Sequence, residues 1–353
     1  MARLATHAAA NWTKLGGLDI VSRRLNNAGG TTMKAVYYHE AAKPPEDLID
    51  VVKEFPQASL VAAGNPAELG EALKDCEILI INNRSYTADN ARLIRNQGTA
   101  LKWIQFSTSG IDNAMKNGLP SDVVVTNIAG VRAFAVAEHA LMLMLALVRR
   151  VRATEGARNR QTWARDEITP SMDNLAGKQL LIIGLGAIGR EIARKAKAFD
   201  MKVTGISRTT ESVPHVDQVL PRSELKAACA RADMVVIAAG ADAGQLLNRE
   251  AIAAMQPAAF VVNVARGQLV DEPALIEALQ GGRLAGAGLD VVATEPLPKG
   301  HALWELENVI MTPHVGGAGS QGIGGGLGSI FADNLRRWID RKPLTNVLIS
   351  PQA

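Results

Sequence analysis

The chain has 353 residues, enough for two domains of ordinary size, each with its own core. Hydrophobic residues make up 47% and charged residues 21%, the balance of a soluble globular protein. A net charge of +3, with basic residues spread out apart from pairs such as Arg149-Arg150 and Arg336-Arg337, argues for neither a nucleic-acid nor a membrane partner.

Residues 1–32 carry Arg3, Lys14, Arg23 and Arg24 against one acid, Asp19, and end in Asn26-Asn-Ala-Gly-Gly-Thr-Thr32. A basic, acid-poor leader can be an organellar targeting segment. It can also be a disordered tail, or the product of a start codon placed upstream of Met33. The last two together are favoured, so a disordered extension without catalytic residues is expected. From Met33 to about Asn127, strand-like runs (Lys34–Tyr38, Leu60–Ala63, Ile78–Asn82, Lys102–Phe106, Val123–Thr126) alternate with helical runs such as Pro66–Lys74 and Thr87–Arg95. That alternation predicts a parallel sheet. Two of its loop ends are polar, Asn82-Asn-Arg-Ser85 and Ser107-Thr-Ser-Gly110. Ligands of open α/β sheets bind outside the carboxyl ends of strands, but ordinary surface turns look the same at this level.

Val131 to Arg150 reads as a long helix with no internal glycine or proline, suited to leaving one domain and entering another. Its apolar stretch, Ala135 to Val148, is broken by Glu138 and His139 and is too short to span a bilayer. No secretory signal is visible, and a cytoplasmic enzyme is the default expectation. Cys76 and Cys229 lie far apart without metal-ligand spacing, in apparent helices beside apolar residues. They read as buried free thiols of a reducing compartment, and no metal site is expected.

A second alternating set follows. Its strands are predicted at Gln179–Gly184, Lys202–Ile206, Met234–Ala238, Phe260–Val264, Gly286–Val291 and Val309–Met311, a six-strand doubly wound pattern. The first of them runs straight into Gly184-x-Gly186-x-x-Gly189 and a helix from Arg190 to Phe199. A glycine triplet alone is weak, but strand, turn and helix in that order let a pyrophosphate sit on unpaired N–H groups at a helix N-terminus. Gly184, Gly186, Ala187, Ile188 and Gly189 are therefore candidate dinucleotide contacts. The next strand ends Ile206-Ser207-Arg208-Thr209-Thr210, with no acid placed to take ribose hydroxyls. Ser207 and Thr209 can bond phosphate oxygens, and Arg208 offers a guanidinium fork for a 2′-phosphate. This favours NADP(H) over NAD(H); a solvent-exposed Arg208 with no such role is the other reading. A final helix is predicted from Ser329 to Asp340, packing back on the first domain.

Three later motifs hold chemically useful side chains. Asn263-Val-Ala-Arg-Gly267 puts Arg266 at a strand's carboxyl end, Leu289-Asp290-Val-Val-Ala-Thr-Glu295-Pro296 supplies two carboxylates, and Thr312-Pro-His-Val-Gly-Gly317 presents His314 between a proline and glycines. Reducing a ketone leaves developing negative charge on oxygen, which needs a proton donor of histidine type. A carboxylate such as Glu295 would favour imidazolium and orient the ring, and an arginine can grip a 2-oxo acid's carboxylate. Convergence of these groups does not follow from sequence alone.

Together with Val136-Ala-Glu-His139, these motifs resemble the D-isomer-specific 2-hydroxyacid dehydrogenases, including glyoxylate/hydroxypyruvate reductases, from about Met33 to the final helix. The resemblance implies an α/β fold of two Rossmann-like domains. A doubly wound coenzyme domain (131–316) is inserted in a smaller flavodoxin-like substrate domain (33–130 and 317–353). It implies Arg266 on the substrate carboxylate, His314 as acid/base with Glu295 as partner, and Asp290 near the nicotinamide carboxamide. Ala239 and Ala265 would line the cofactor, while Arg84-Ser85 and Ser109-Gly110 would hold the substrate carboxylate through backbone N–H groups. A homodimer with the linking helix at its interface is implied as well. The chain departs from the family in two places: Ser207 replaces the usual acid, and Ala238-Ala-Gly-Ala-Asp-Ala-Gly-Gln245 lacks the Pro and Thr common there, which puts local cofactor contacts in doubt. The expected activity is reduction of a small 2-oxo acid with NADPH, NAD(H) being the other possible cofactor. The alternative is a dinucleotide-sensing, corepressor-like binding protein.

Overall fold

The computed structural model describes residues 12–15, 18–21, 32–40, 43–319 and 326–351. The chain divides into two compact units, one built from Met1–Val131 with Gln321–Ala353 and the other from Arg132–Ser320.

The first unit opens with two short strands, β1 (Trp12–Leu15) and β2 (Leu18–Val21). There follow β3 (Met33–Tyr38), α1 (Glu46–Glu54), β4 (Ala58–Ala63), α2 (Pro66–Leu73), β5 (Ile78–Ile81), α3 (Ala88–Gln97), β6 (Trp103–Phe106), α4 (Asp112–Asn117) and β7 (Val124–Thr126). The helices start where sequence chemistry says they should. Asn65 accepts from the Glu68 N–H ahead of Pro66, and Thr87 accepts from the Asn90 N–H. Strands β5 and β6 are buried along their whole length, which is why Ile78-Leu-Ile-Ile81 is a continuous apolar run. Strands β4-β3-β5-β6-β7 pair in parallel in the 2-1-3-4-5 order of a flavodoxin-like sheet, with its switch point between β3 and β5.

The expected disordered extension needs correcting in part. Strands β1 and β2 pair antiparallel with each other, and β2 pairs antiparallel with β4, adding two strands to that edge; the remaining residues of 1–32, apart from Thr32, lie outside the described ones. The signal was present: Trp-Thr-Lys-Leu and Leu-Asp-Ile-Val are separated by Gly16-Gly17, a pair favoured in two-residue hairpin connections.

The second unit begins with α5 (Ala133–Val148), α6 (Val151–Asn159) and α7 (Arg165–Ile168). It continues through β8 (Gln179–Ile183), α8 (Ala187–Lys197), β9 (Lys202–Ser207), β10 (Gln218–Pro221), α9 (Leu225–Cys229), β11 (Met234–Ile237), α10 (Arg249–Ala254), β12 (Phe260–Asn263), α11 (Glu272–Gln280), β13 (Gly286–Leu289) and β14 (Val309–Met311). All seven strands are parallel, in the order β10-β9-β8-β11-β12-β13-β14. This is the doubly wound 3-2-1-4-5-6 arrangement with one strand added, and the order reverses between β8 and β11. The six-strand expectation missed β10, a short, half-exposed edge strand that ends on a proline. Two apolar clusters cover the faces of the sheet. One is built on α9, α10 and α11, the other on α5 and α8.

The chain then returns to the first unit with α12 (Leu327–Ile339) and β15 (Val347–Ile349), the latter antiparallel to β7. Phe331 and Trp338 of α12 pack on buried Trp103, with ring centroids 5.3 and 5.7 Å away. Trp103 Nε1 donates to Thr126 Oγ1 at 2.7 Å, so the indole buries its area without an orphaned donor. Asp47 Oδ2 accepts from the Gly328 N–H at 2.9 Å, fixing the start of α12 against α1. Both cysteines are buried free thiols, and burial pushes each up to about 12. Among the described residues, no helix is long and apolar enough to cross a membrane.

Candidate active site

In the second unit every candidate side chain lies at or beyond the carboxyl end of a parallel strand. The turn after β8 shows what its glycines do. Gly184 has φ +101°, and a Cβ there would stand 2.7 Å from Ala239 Cα in the loop after β11. At Gly189 a Cβ would drive into the Gly184 carbonyl, so only glycine lets α8 lie this close to its strand. Gly186, at the N-cap of α8, has open space where its side chain would be. Tight turn, open approach and close helix packing are the three conditions a pyrophosphate cradle needs. Ala187 is exposed and Ile188 half-buried in the first helical turn, where N–H groups lack intrahelical partners. Arg190 Nε donates to the Leu185 carbonyl at 3.0 Å and braces the turn from behind. The residues present therefore fit a dinucleotide.

Beside this turn, β9 ends on half-buried Ser207, followed by exposed Arg208 and Thr209. Across β8, the loop after β11 holds half-buried Ala239. After β12, Asn263 folds back on its own loop: Nδ2 donates to the Arg266 carbonyl at 2.9 Å, and Oδ1 accepts from the N–H of buried Ala265 at 3.0 Å. Arg266 is half-buried, with Nη1 donating to the Ala265 carbonyl at 2.7 Å. Gly267 has no room for a side chain because the Val292 backbone crosses it, which brings the loop after β13 against the arginine loop.

That second loop carries Glu295. Its Oε1 accepts from the Val292 N–H at 3.3 Å, and Glu272 Oε2 accepts from the Ala293 N–H at 2.9 Å. Glu295 Oε2 lies 2.7 Å from His314 Nδ1, both side chains being about one-third exposed (36% and 38%). The ring is thereby oriented through Nδ1, leaving Nε2 as the nitrogen able to exchange a proton with another molecule.

His314 sits at φ +55°, a conformation uncommon for a residue with a Cβ. The surrounding hydrogen bonds explain its persistence. The His314 N–H donates to the Asp290 and Thr312 carbonyls at 2.9 Å each. The N–H groups of Val315 and Gly316 donate to Asp290 Oδ1 and Oδ2, also at 2.9 Å each. Thr312 Oγ1 donates to Asp290 Oδ1 at 2.6 Å, and His139 Nε2 of α5 lies 2.8 Å from Thr312 Oγ1 and 3.4 Å from Asp290 Oδ1. Asp290 is thus the clamp of the histidine loop. Strands β12, β13 and β14, neighbours in the sheet, bring Arg266, Asp290 with Glu295, and His314 to one edge. Thr312 and His139 stand outside the candidate residues read from sequence, although both fall inside the motifs Thr312-Pro-His and Val136-Ala-Glu-His139. Their contact spans 173 positions of sequence.

The remaining candidates belong to the first unit. Arg84 is exposed in the turn after β5, and Ser85 is buried. The Ser85 N–H, expected to hold a carboxylate, donates to Asn82 Oδ1 at 2.8 Å, while Ser85 Oγ accepts from Asn82 Nδ2 at 3.0 Å. Ser85 therefore shapes its turn. After β6, exposed Ser109 and half-buried Gly110 form a turn fastened by Asn127 Nδ2, which donates to the Ser109 carbonyl at 2.6 Å, and by Thr108 Oγ1, which donates to the Gly110 carbonyl at 2.9 Å.

Residues 141–316 match the family described as D-isomer specific 2-hydroxyacid dehydrogenase, NAD binding domain. The chain is 33% identical over 265 residues to a glyoxylate reductase of Pyrococcus furiosus, covering 71% of this chain and 76% of that one. The chain belongs to the D-isomer-specific 2-hydroxyacid dehydrogenase family. Another relative, a D-3-phosphoglycerate dehydrogenase of Methanocaldococcus jannaschii, is 32% identical over 313 residues; these make up 87% of this chain but only 58% of the relative. Among solved structures, a D-isomer specific 2-hydroxyacid dehydrogenase of Xanthobacter autotrophicus in complex with NADPH and MES superposes with a TM-score of 0.74 at 25% identity, over 90% of this chain and 98% of that one.

In this chain, Thr312→Val removes the hydroxyl that links His139 to Asp290. It should cost about 1–3 kcal/mol of stability, the usual penalty for unpairing a buried polar group. Thr312→Ser should recover most of it. Denaturant unfolding of the two variants measures this; equal stability of Thr312→Val and wild type would show that the hydroxyl bears no weight.

Proposed function

We propose that this chain reduces a small 2-oxo acid, of the glyoxylate or hydroxypyruvate kind, to the D-2-hydroxy acid with NADPH. The observation that carries the reading is the 2.7 Å contact of Glu295 with His314 on the strand edge that also presents Arg266 and the glycine cradle. Bound at Gly184–Gly189, the nicotinamide cofactor supplies the hydride. Arg266 grips the substrate carboxylate and polarises the carbonyl. His314, aimed by Glu295, delivers a proton from Nε2 to the oxygen as charge develops there. In the oxidative direction the same nitrogen takes the hydroxyl proton. Asp290 keeps the histidine loop in place through Thr312, Val315 and Gly316.

His314→Ala should lower kcat by about 10²–10⁴-fold, the range for loss of a general acid/base, while leaving NADPH binding nearly intact. Unchanged turnover would end the acid/base assignment, and tight NADPH binding with no turnover on any 2-oxo acid by the wild-type chain would favour the sensing alternative.

The cofactor preference rests on Ser207, Arg208 and Thr209 at the end of β9, a stretch that itself carries no acid and offers a guanidinium to a 2′-phosphate. It is supported by the NADPH complex of the Xanthobacter relative. Steady-state kinetics with glyoxylate, hydroxypyruvate and pyruvate should give a higher kcat/KM for NADPH than for NADH. An NADH advantage of tenfold, worth ~1.4 kcal/mol, would reverse the assignment.

A homodimer completes the proposal. Helix α5 buries one side in its own unit yet leaves Phe134 and Met142 exposed, with Val151 and Phe199 exposed nearby in sequence or across the α5–α8 contact. A second copy of the chain would cover these side chains. Sedimentation should report a dimer for the wild type and a shift towards monomer for Met142→Arg; a wild-type monomer at micromolar concentration would refute it.

A further inference from the structure

The loop after β11 is one of the two places where the sequence lacks what the family resemblance implies, and the structure shows what stands there. Ala241–Ala243 forms a short helical turn, closed by the Ala243 N–H donating to the Gly240 carbonyl at 3.1 Å. Arg222, just past β10, pins it: Nη1 donates to the Ala243 carbonyl at 2.7 Å and Nη2 to the Gln245 carbonyl at 3.5 Å. The turn thus holds Asp242 at a fixed place. Its Oδ2 stands 3.7 Å from Arg208 Nη1, with the two side chains 77% and 94% exposed. Strands β9 and β11 flank β8 on opposite sides, so the loops following them meet beside the glycine turn. One brings the guanidinium, the other a carboxylate.

We infer that Asp242 is a specificity residue that tempers the preference for NADPH by competing with the cofactor's 2′-phosphate for the Arg208 guanidinium. The inference rests on the proposed role of Arg208. A 2′-phosphate reaching Arg208 enters a position where a carboxylate already stands, and it meets like-charge repulsion as well as an existing ion pair. A ribose 2′-hydroxyl carries no charge and loses little by the same neighbour. Because both side chains are mostly in water, the pair is weak, so the effect is a moderation of affinity and not a block. Arg222, engaged on two carbonyls, serves the loop as an anchor.

Direct fluorescence titration of NADPH and of NADH against the full chain tests this without relying on turnover. Asp242→Asn and Asp242→Ala should each tighten NADPH about two- to fivefold, the scale of an exposed charge pair, and leave NADH essentially unchanged. Asp242→Glu, which keeps the charge, should stay near wild type. If both neutral variants leave NADPH binding unchanged or weaken it, while Arg208→Ala still weakens NADPH selectively, the role of Asp242 is overturned and that of Arg208 stands. If Arg208→Ala leaves NADPH binding unchanged, the 2′-phosphate reading fails, and this inference fails with it.

Discussion

A carboxylate only 4% exposed needs donors for its lone pairs, and Asp290 finds them almost entirely in the five residues that follow β14. The N–H groups of Val315 and Gly316 converge on it because His314 adopts the left-handed conformation between them and Pro313. The conformation and the clamp explain each other. A left-handed histidine is held by the hydrogen bonds around it, and a buried charge is made tolerable by a loop turned to face it. The same arrangement sets where the imidazole stands relative to Glu295, so the orientation of the proposed acid/base rests on a group that need not touch the reacting atoms.

The larger unit separates its tasks along the sheet edge. The turn after β8, with loops after β9 and β11 on either side, is shaped to fit a dinucleotide, whereas β12, β13 and β14 present the side chains suited to proton and carboxylate chemistry. Backbone does the first job and side chains do the second. This is why the first is written in glycines, whose missing Cβ atoms admit Ala239 and the helix, and the second in Arg266, Glu295 and His314.

Much of this could be read from the residues in order. The alternation of apolar runs with helical ones marked the central parallel strands of both sheets, and the glycine triplet marked the strand that leads into α8. The pairing of Glu295 with His314, 19 positions apart, was implied by motif resemblance and not by spacing. Three kinds of feature were not legible. Edge strands β10 and β15 are short, half-exposed or exposed, and lack the continuous apolar run that betrays a central strand. The hairpin β1–β2 lay in a basic segment whose composition outweighed its Gly-Gly signal. Contacts such as His139 with Thr312, or Arg208 with Asp242, join residues on different strands and helices, and their existence depends on sheet order, which no local pattern encodes.

Sheet order also governs when the smaller unit can be finished. Its central strands are made early, yet Asp47 waits for Gly328, 281 positions later, Trp103 waits for the aromatic rings of α12, and β7 waits for β15 to cover its edge. At ordinary translation rates of roughly 5–20 residues per second, that interval is on the order of tens of seconds. The larger unit, encoded without interruption, has all of its strands available before the smaller one has any of its closing elements. A growing chain therefore carries an apolar surface around Trp103 and an open strand edge at β7 until α12 and β15 have emerged.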